Sequence, residues 1–390
     1  MNIPVYTLTS PLHNENNCDA LTRKFIHTLA CMFIETPHVK FELKGQEFSD
    51  FGQQSLNLIY IVTGGTEATF KQILPSLQRR NKRPFYLLTS GKNNSLAASL
   101  EILSYLRQQG IKGEIIHGNT DYVAKRIKAL LNTEIAMKRL QETTLGIIGQ
   151  PSDWLISSGV SPVQIKHCLG IQLINIHINE LLQKLKPVQN TKEGAENIYN
   201  ALRNIVQKYE LQGFTLRCFD LLTAVRNTGC LALARLNAEG TVAGCEGDVP
   251  ALISMTISNA LTGVSGFQAN PAYIDIERGE IIFAHCTIPL NMVEHYELHT
   301  HFESGLGIAI RGFMKEGPVT IFKVAGDLSR YFVAEGMLIR NLAEENLCRT
   351  QQLIRLSHAE DAEYFLKNPI GNHHIIIPGH HKQQLEEIMT

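Results

Sequence analysis

The chain has little of what marks many protein classes. Its charges nearly cancel: 36 Lys plus Arg face 37 Asp plus Glu over 390 residues, a formal net charge of −1. That balance lacks the basic footprint of a nucleic-acid binder. No apolar run approaches the ~18–20 residues of a membrane span. Residues 1–17 hold neither a basic n-region nor an apolar h-region. The expectation is a soluble, cytoplasmic protein with no nucleic-acid and no membrane partner. The eight cysteines include no CxxC pair. Scattered through apolar segments, they read as small hydrophobes in a reducing compartment rather than a disulfide framework. Thr63-Gly64-Gly65-Thr66 lacks the spacing of a P-loop or of GxGxxG, which argues against a nucleotide-binding loop. There is no internal repeat and no low-complexity tract.

What is present is an ordinary globular composition, 44% hydrophobic and 19% charged. The length supports two or three domains with sizeable cores. Apolar runs at 56–62, 84–89 and 113–117 alternate with helical patterns, the signature of a parallel sheet covered by helices. A second such unit starts near Thr143, with strands at 144–149 and 170–176. Further strands are expected at 215–222 and 230–237. Asp248 then caps a helix reaching about Leu261, with Pro250 in its first turn. Beyond residue 265 short strand-like segments and Gly/Pro turns take over, which predicts a mostly antiparallel sheet or small barrel. The fold class is therefore α/β: two doubly wound parallel-sheet domains, 1–142 and 143–267, then a β-rich domain, 268–390, ending in a helix.

Three segments carry candidate chemistry: Cys245-Glu246-Gly247-Asp248, Ala284-His285-Cys286-Thr287-Ile288-Pro289, and Gly371-Asn372-His373-His374. Each sets a hard or borderline ligand at the edge of an apolar run. Carboxylate plus imidazole from separate elements can build a Mn²⁺ or Mg²⁺ site, and such a site can hold adjacent oxygens of a sugar. Each residue also has a plainer reading. Glu246 can cap a helix or pair with an arginine. Asp248 reads more as a cap than as a ligand. His285 can be a satisfied core histidine. Of His373 and His374, alternation lets only one face the site. The run His295, His299 and His301 suggests a helical face by its spacing of four. Trp154 sits in the loop after a strand end, where ligands of open α/β sheets bind.

With these segments in order, joined by Arg217-Cys218-Phe219, Asn270-Pro271 and His301-Phe302-Glu303-Ser304-Gly305-Leu306-Gly307, the chain resembles the L-fucose isomerase and L-arabinose isomerase superfamily. The match is to its fucose-isomerase-like branch and covers roughly residues 140–380. The resemblance implies two α/β domains and one largely β domain, assembled as homo-oligomers, trimers or hexamers. It implies a Mn²⁺-type ion (or Mg²⁺) and aldose–ketose isomerisation of a small sugar through a cis-enediol. Carried over by motif, Glu246 is a metal ligand and base, and His373 a metal ligand. The family's second carboxylate falls at Asn270, an amide that can coordinate but cannot shuttle a proton. His285, Asp248 and Asp275 are then the alternative proton-transfer groups beside Glu246. Trp154, Asn270, His301, Glu303 and Lys323 are the candidate substrate-binding residues. The Asn270 departure keeps two other readings open: a non-catalytic sugar-binding or regulatory protein of the same fold, and a metal-assisted sugar epimerase.

Overall fold

The computed structural model describes residues 2–13, 15–35, 38–81, 83–185 and 191–389, in two compact units, Met1–Glu134 and Ile135–Thr390. The first unit is a five-stranded parallel sheet built from β1 (Asn2–Leu8), β2 (Lys40–Gly45), β3 (Leu58–Ile61), β4 (Phe85–Thr89) and β5 (Gly113–Ile116), in the order β2-β1-β3-β4-β5. Its central strands are buried on both faces, so they read as continuous apolar runs. β1 and β2 carry no such clear signal, and the sequence reading missed them.

The second unit begins with a four-stranded parallel sheet. Its strands are β6 (Thr144–Ile148), β7 (Gln172–Ile176), β8 (Gly213–Leu216) and β9 (Val242–Cys245), in the order β7-β6-β8-β9. The segment expected as a strand at 230–237 is instead the helix Cys230–Ala238. It has no β-branched residue, and Leu, Ala and Arg are good helix formers, so propensity overrides its apolar look. The strand expected at 215–222 ends at Leu216, and Phe219–Val225 is helical.

The rest of the unit is β-rich. Six strands close into a barrel: β10 (Phe267–Asp275), β11 (Glu280–His285), β14 (Gly317–Val324), β15 (Tyr331–Asn341), β16 (Thr350–Leu356) and β17 (His374–Pro378). Every barrel pairing is antiparallel. Beside it β12 (His295–His299) and β13 (Ala309–Phe313) form a separate ribbon. His295 and His299 thus lie on a strand, not a helix. A spacing of four also repeats on one face of a strand, because it is a multiple of two. The helix Val249–Thr262 packs between the parallel sheet and the barrel, and Val249, Leu252, Ile253 and Ile257 share a core with Phe322, Val324, Ile375 and Ile377. That core fixes the end of β9 against the start of β17.

Candidate metal centre and its cavity

The strand-to-helix turn after β9 is left-handed at two successive residues, Glu246 (φ 62°) and Gly247 (φ 70°). A Cβ at position 247 would stand 2.7 Å from Gln150 O, so only glycine fits. For Glu246 the same region is strained, and strain of this kind concentrates at functional sites. The turn is pinned from outside: the Glu246 carbonyl accepts from Ser152 N (3.1 Å) and Ser152 Oγ (2.7 Å). Asp248 then closes the turn as N-cap, its Oδ1 accepting from Ala251 N at 2.8 Å.

This turn aims the Glu246 carboxylate at two imidazoles. Glu246 Oε1 lies 3.5 Å from His285 Nε2 and 3.5 Å from His373 Nε2. One ligand atom from each of the three residues lies within 4.8 Å of the others, close enough to share a cation. The two rings meet edge-on, with centroids 5.2 Å apart. Each ring is held from its other nitrogen. His373 Nδ1 meets Asp248 Oδ2 at 2.8 Å, and His285 Nδ1 meets Thr287 Oγ1 at 3.1 Å. Outer partners of this kind fix the tautomer and turn both Nε2 atoms toward the Glu246 carboxylate. Asp248 Oδ2 also takes the ammonium of Lys323 at 3.5 Å.

Asn270 Oδ1 is buried here with no hydrogen-bond partner among the described residues, and His373 Nε2 has the 3.5 Å ionic contact with Glu246 but no hydrogen bond. Stranded polar atoms of this kind are costly unless a water or an ion satisfies them. Asn270 follows Ala269, which pairs with His374 across β10 and β17, and it pairs with Ala284 beside His285. The cavity of about 50 Å³ bordered by Glu246, Asn270 and His285 has room for an ion and a few oxygen ligands. Carboxylate, imidazole and amide oxygen together are a donor set that fits a divalent cation.

Electrostatics couple these groups to one another, so a metal would have to displace a proton from the cluster. Burial pushes the Glu246 carboxyl up, but His285 and His373 outweigh it and hold the group well below the usual carboxylate range. Burial likewise works against Asp248, yet Lys323 and His373 keep it ionised. Burial lowers His373, but its two carboxylate partners raise it to about 9. His374, on the opposite face, meets Tyr364 Oη at 3.0 Å and is driven down to about 3 by burial.

The structure brings most of the expected residues together. Glu246, Asn270, His285, His301 and Glu303 border one cavity. Trp154 is half exposed, yet its indole Nε1 donates to Glu246 Oε2 at 2.8 Å. Lys323 opens instead into a neighbouring cavity. Asp275 is not brought in. It ends β10, where its carboxylate accepts from Arg278 N (3.0 Å) and pairs with the Arg278 guanidinium (3.8 Å), a turn role. The sequence reading missed Thr287 as a partner of His285. It also missed the thiols of Cys218, Cys230, Cys245, Cys286 and Cys348, which border the same cavity. Their scatter along the chain hid that convergence.

No family model matches the chain. Among curated proteins it is similar to sulfoquinovose isomerase of Priestia aryabhattai and of Priestia megaterium, each 23% identical over 262 residues, 60% of this chain and 59% of the relative. Sulfoquinovose isomerase of Alkalicoccus urumqiensis is 22% identical over 261 residues, 59% of both chains. The alignments thus span about three fifths of the curated relatives' length.

Proposed function

We propose that the protein is a metal-dependent aldose–ketose isomerase acting on an acidic hexose of the sulfoquinovose type. The observation that carries the reading is the Glu246–His285–His373 cluster, whose three ligand atoms converge within 4.8 Å beside the unsatisfied Asn270 Oδ1. The relatives' names supply the sugar. Glu246, His285 and His373 would hold the ion, with the Asn270 amide oxygen as a further ligand. A bound ion would supply Lewis acidity to the oxygens of the sugar's carbonyl and neighbouring hydroxyl.

The chain's own groups handle the protons. Glu246 is poorly placed as a base, because Trp154 occupies Oε2 and Oε1 faces the imidazoles. His301 is the better candidate. Burial lowers its pKa, so it stays neutral and able to accept a proton, and Ser304 Oγ steadies its Nδ1 at 3.1 Å. In this assignment His301 takes the proton from C2 and returns it to C1, while the hydroxyl proton passes from O2 to O1. The reading keeps three domains, 1–142, 143–267 and 268–390, because the five-stranded sheet, the four-stranded sheet and the barrel follow one another in that order, and the small volume beside Glu246 fits a substrate lying across the cavity mouth.

The test is direct. The protein is incubated with sulfoquinovose, glucose and fucose, with Mn²⁺ or after chelation, in D₂O. Ketose with deuterium at C1, formed only with metal, supports the reading. No conversion and no C2 exchange with any of these sugars sinks it, and exchange with inversion at C2 reassigns the protein as an epimerase.

A further inference from the structure

A second cavity, of about 390 Å³, adjoins the buried relay that positions His373. It is bordered by Ser157, Ser158, Lys323, Ser329, Arg330 and Gly371 among others. Gly371 has φ 67°, and a Cβ there would stand 3.8 Å from both Ser157 Oγ and Ser158 Oγ and 4.0 Å from Lys323 Cε. Two hydroxyls and the end of a lysine therefore converge where a side chain is missing. Lys323 is only 1% exposed. Its ammonium carries three donors, yet the hydrogen bond it makes among the described residues is the long one to Asp248, 3.5 Å. Ser158 is buried as well. Arg330 adds an exposed guanidinium at the rim. The acidic group present, Asp327, is already engaged by Ser329 N (3.0 Å) and Ser329 Oγ (2.7 Å).

We propose that this cavity binds a tetrahedral oxyanion group, a sulfonate or a phosphate. Hydroxyls, an ammonium and a guanidinium bordering one cavity match three oxygens carrying shared negative charge. The site is coupled to the metal centre through shared atoms. Asp248 Oδ2 serves both Lys323 and His373 Nδ1. An oxyanion that engages the Lys323 ammonium leaves more of the Asp248 charge to His373. That strengthens His373 as a ligand, so anion and metal bind with positive coupling, and the coupling is reciprocal.

The group has two possible sources, a free anion or the sugar's own anionic substituent. The second rests on the isomerase reading; the first does not. Calorimetry on the full chain without sugar uses inorganic phosphate and methanesulfonate, then Mn²⁺ with and without phosphate. Binding at one site, with Mn²⁺ affinity raised about fivefold or more by phosphate, is expected. Arg330→Gln, an exposed change that should fold normally, and Ser158→Val should both weaken the anion and abolish its effect on Mn²⁺. Sugar kinetics then identify the source. If Arg330→Gln raises KM for sulfoquinovose but not for glucose, the cavity holds the sugar's sulfonate. If KM is unchanged while the phosphate effect disappears, it holds a free anion. If wild-type protein binds neither anion and Arg330→Gln leaves both KM values unchanged, the proposal is overturned, whether or not the protein isomerises sugars.

Discussion

His373 and Asp248 are joined at 2.8 Å, and both side chains are wholly buried. One carboxylate thereby caps a helix, orients an imidazole and neutralises a buried lysine. Its three duties make Asp248 the residue on which site and scaffold depend together.

Asp248→Asn tests that dependence. The amide can still cap the helix, so the helix itself survives. Lys323 is left as an uncompensated buried charge, which costs about 3–5 kcal/mol. His373 loses the acceptor that fixes its tautomer, and metal affinity should fall about 10–100-fold. Chemical denaturation and Mn²⁺ calorimetry measure the two losses separately. Asp248→Asn together with Lys323→Met should recover much of the stability but little of the metal affinity. If both recover, Asp248 is a scaffold residue alone.

Trp154 offers a built-in probe. It is the protein's one tryptophan and donates to Glu246 Oε2 at 2.8 Å. Mn²⁺ bound at Glu246 should quench its emission, and the titration should saturate. His373→Ala should abolish the quenching. Undiminished quenching in that variant would place the ion elsewhere.

The alkaline limit of stability should depend on Tyr364. Burial pushes its phenol up to about 12, and the oxygen accepts from Ile370 N at 2.8 Å, just before the loop to His373. The unfolded phenol ionises near pH 10, so between about pH 10 and 12 the unfolded state holds fewer protons than the folded one. Stability from this group is complete below pH 10 and is lost as pH rises toward 12. Tyr364→Phe should be less stable at neutral pH, by about 1–3 kcal/mol for the two lost hydrogen bonds to Ile370 N and His374 Nε2, and should show a shallower alkaline decline. Denaturant midpoints at neutral pH and through that window check both halves. An unchanged slope would mean that other groups set the alkaline limit.

Much of this architecture was legible in the sequence because its signals are local. Buried parallel strands such as β3 and β4 are unbroken apolar runs, and Asp248 with Pro250 announces a helix start. Tertiary placement was less accessible. The helix Cys230–Ala238 looked like a strand because it is buried nearly all round, which erases its periodicity. At the site, Glu246 and His373 are separated by more than a hundred residues, and only the closure of the barrel onto the parallel sheet joins them. Asp275 looked equivalent to a catalytic carboxylate because spacing along β10 does not reveal where its turn begins. The relay from His373 to Lys323 has no sequence signature, since it depends on β14 and β17 lying side by side.

The last prediction concerns Glu246 and Asn270 together. Glu246→Gln removes the negative ligand of the cluster and leaves His285 and His373 facing a neutral amide. Metal binding should weaken sharply and isomerisation should disappear. Asn270→Asp acts in the opposite sense. Its Oδ1 is already buried without a partner, so a carboxylate there adds charge where a ligand is wanted. Without metal, the new buried charge should destabilise the protein by a few kcal/mol. With Mn²⁺ that penalty should vanish, and affinity should rise. Thermal melts with and without Mn²⁺, run beside calorimetry, distinguish these states. If Asn270→Asp is equally destabilised with and without the ion, Asn270 stands outside the coordination sphere, and the ligands are Glu246 and the two histidines alone.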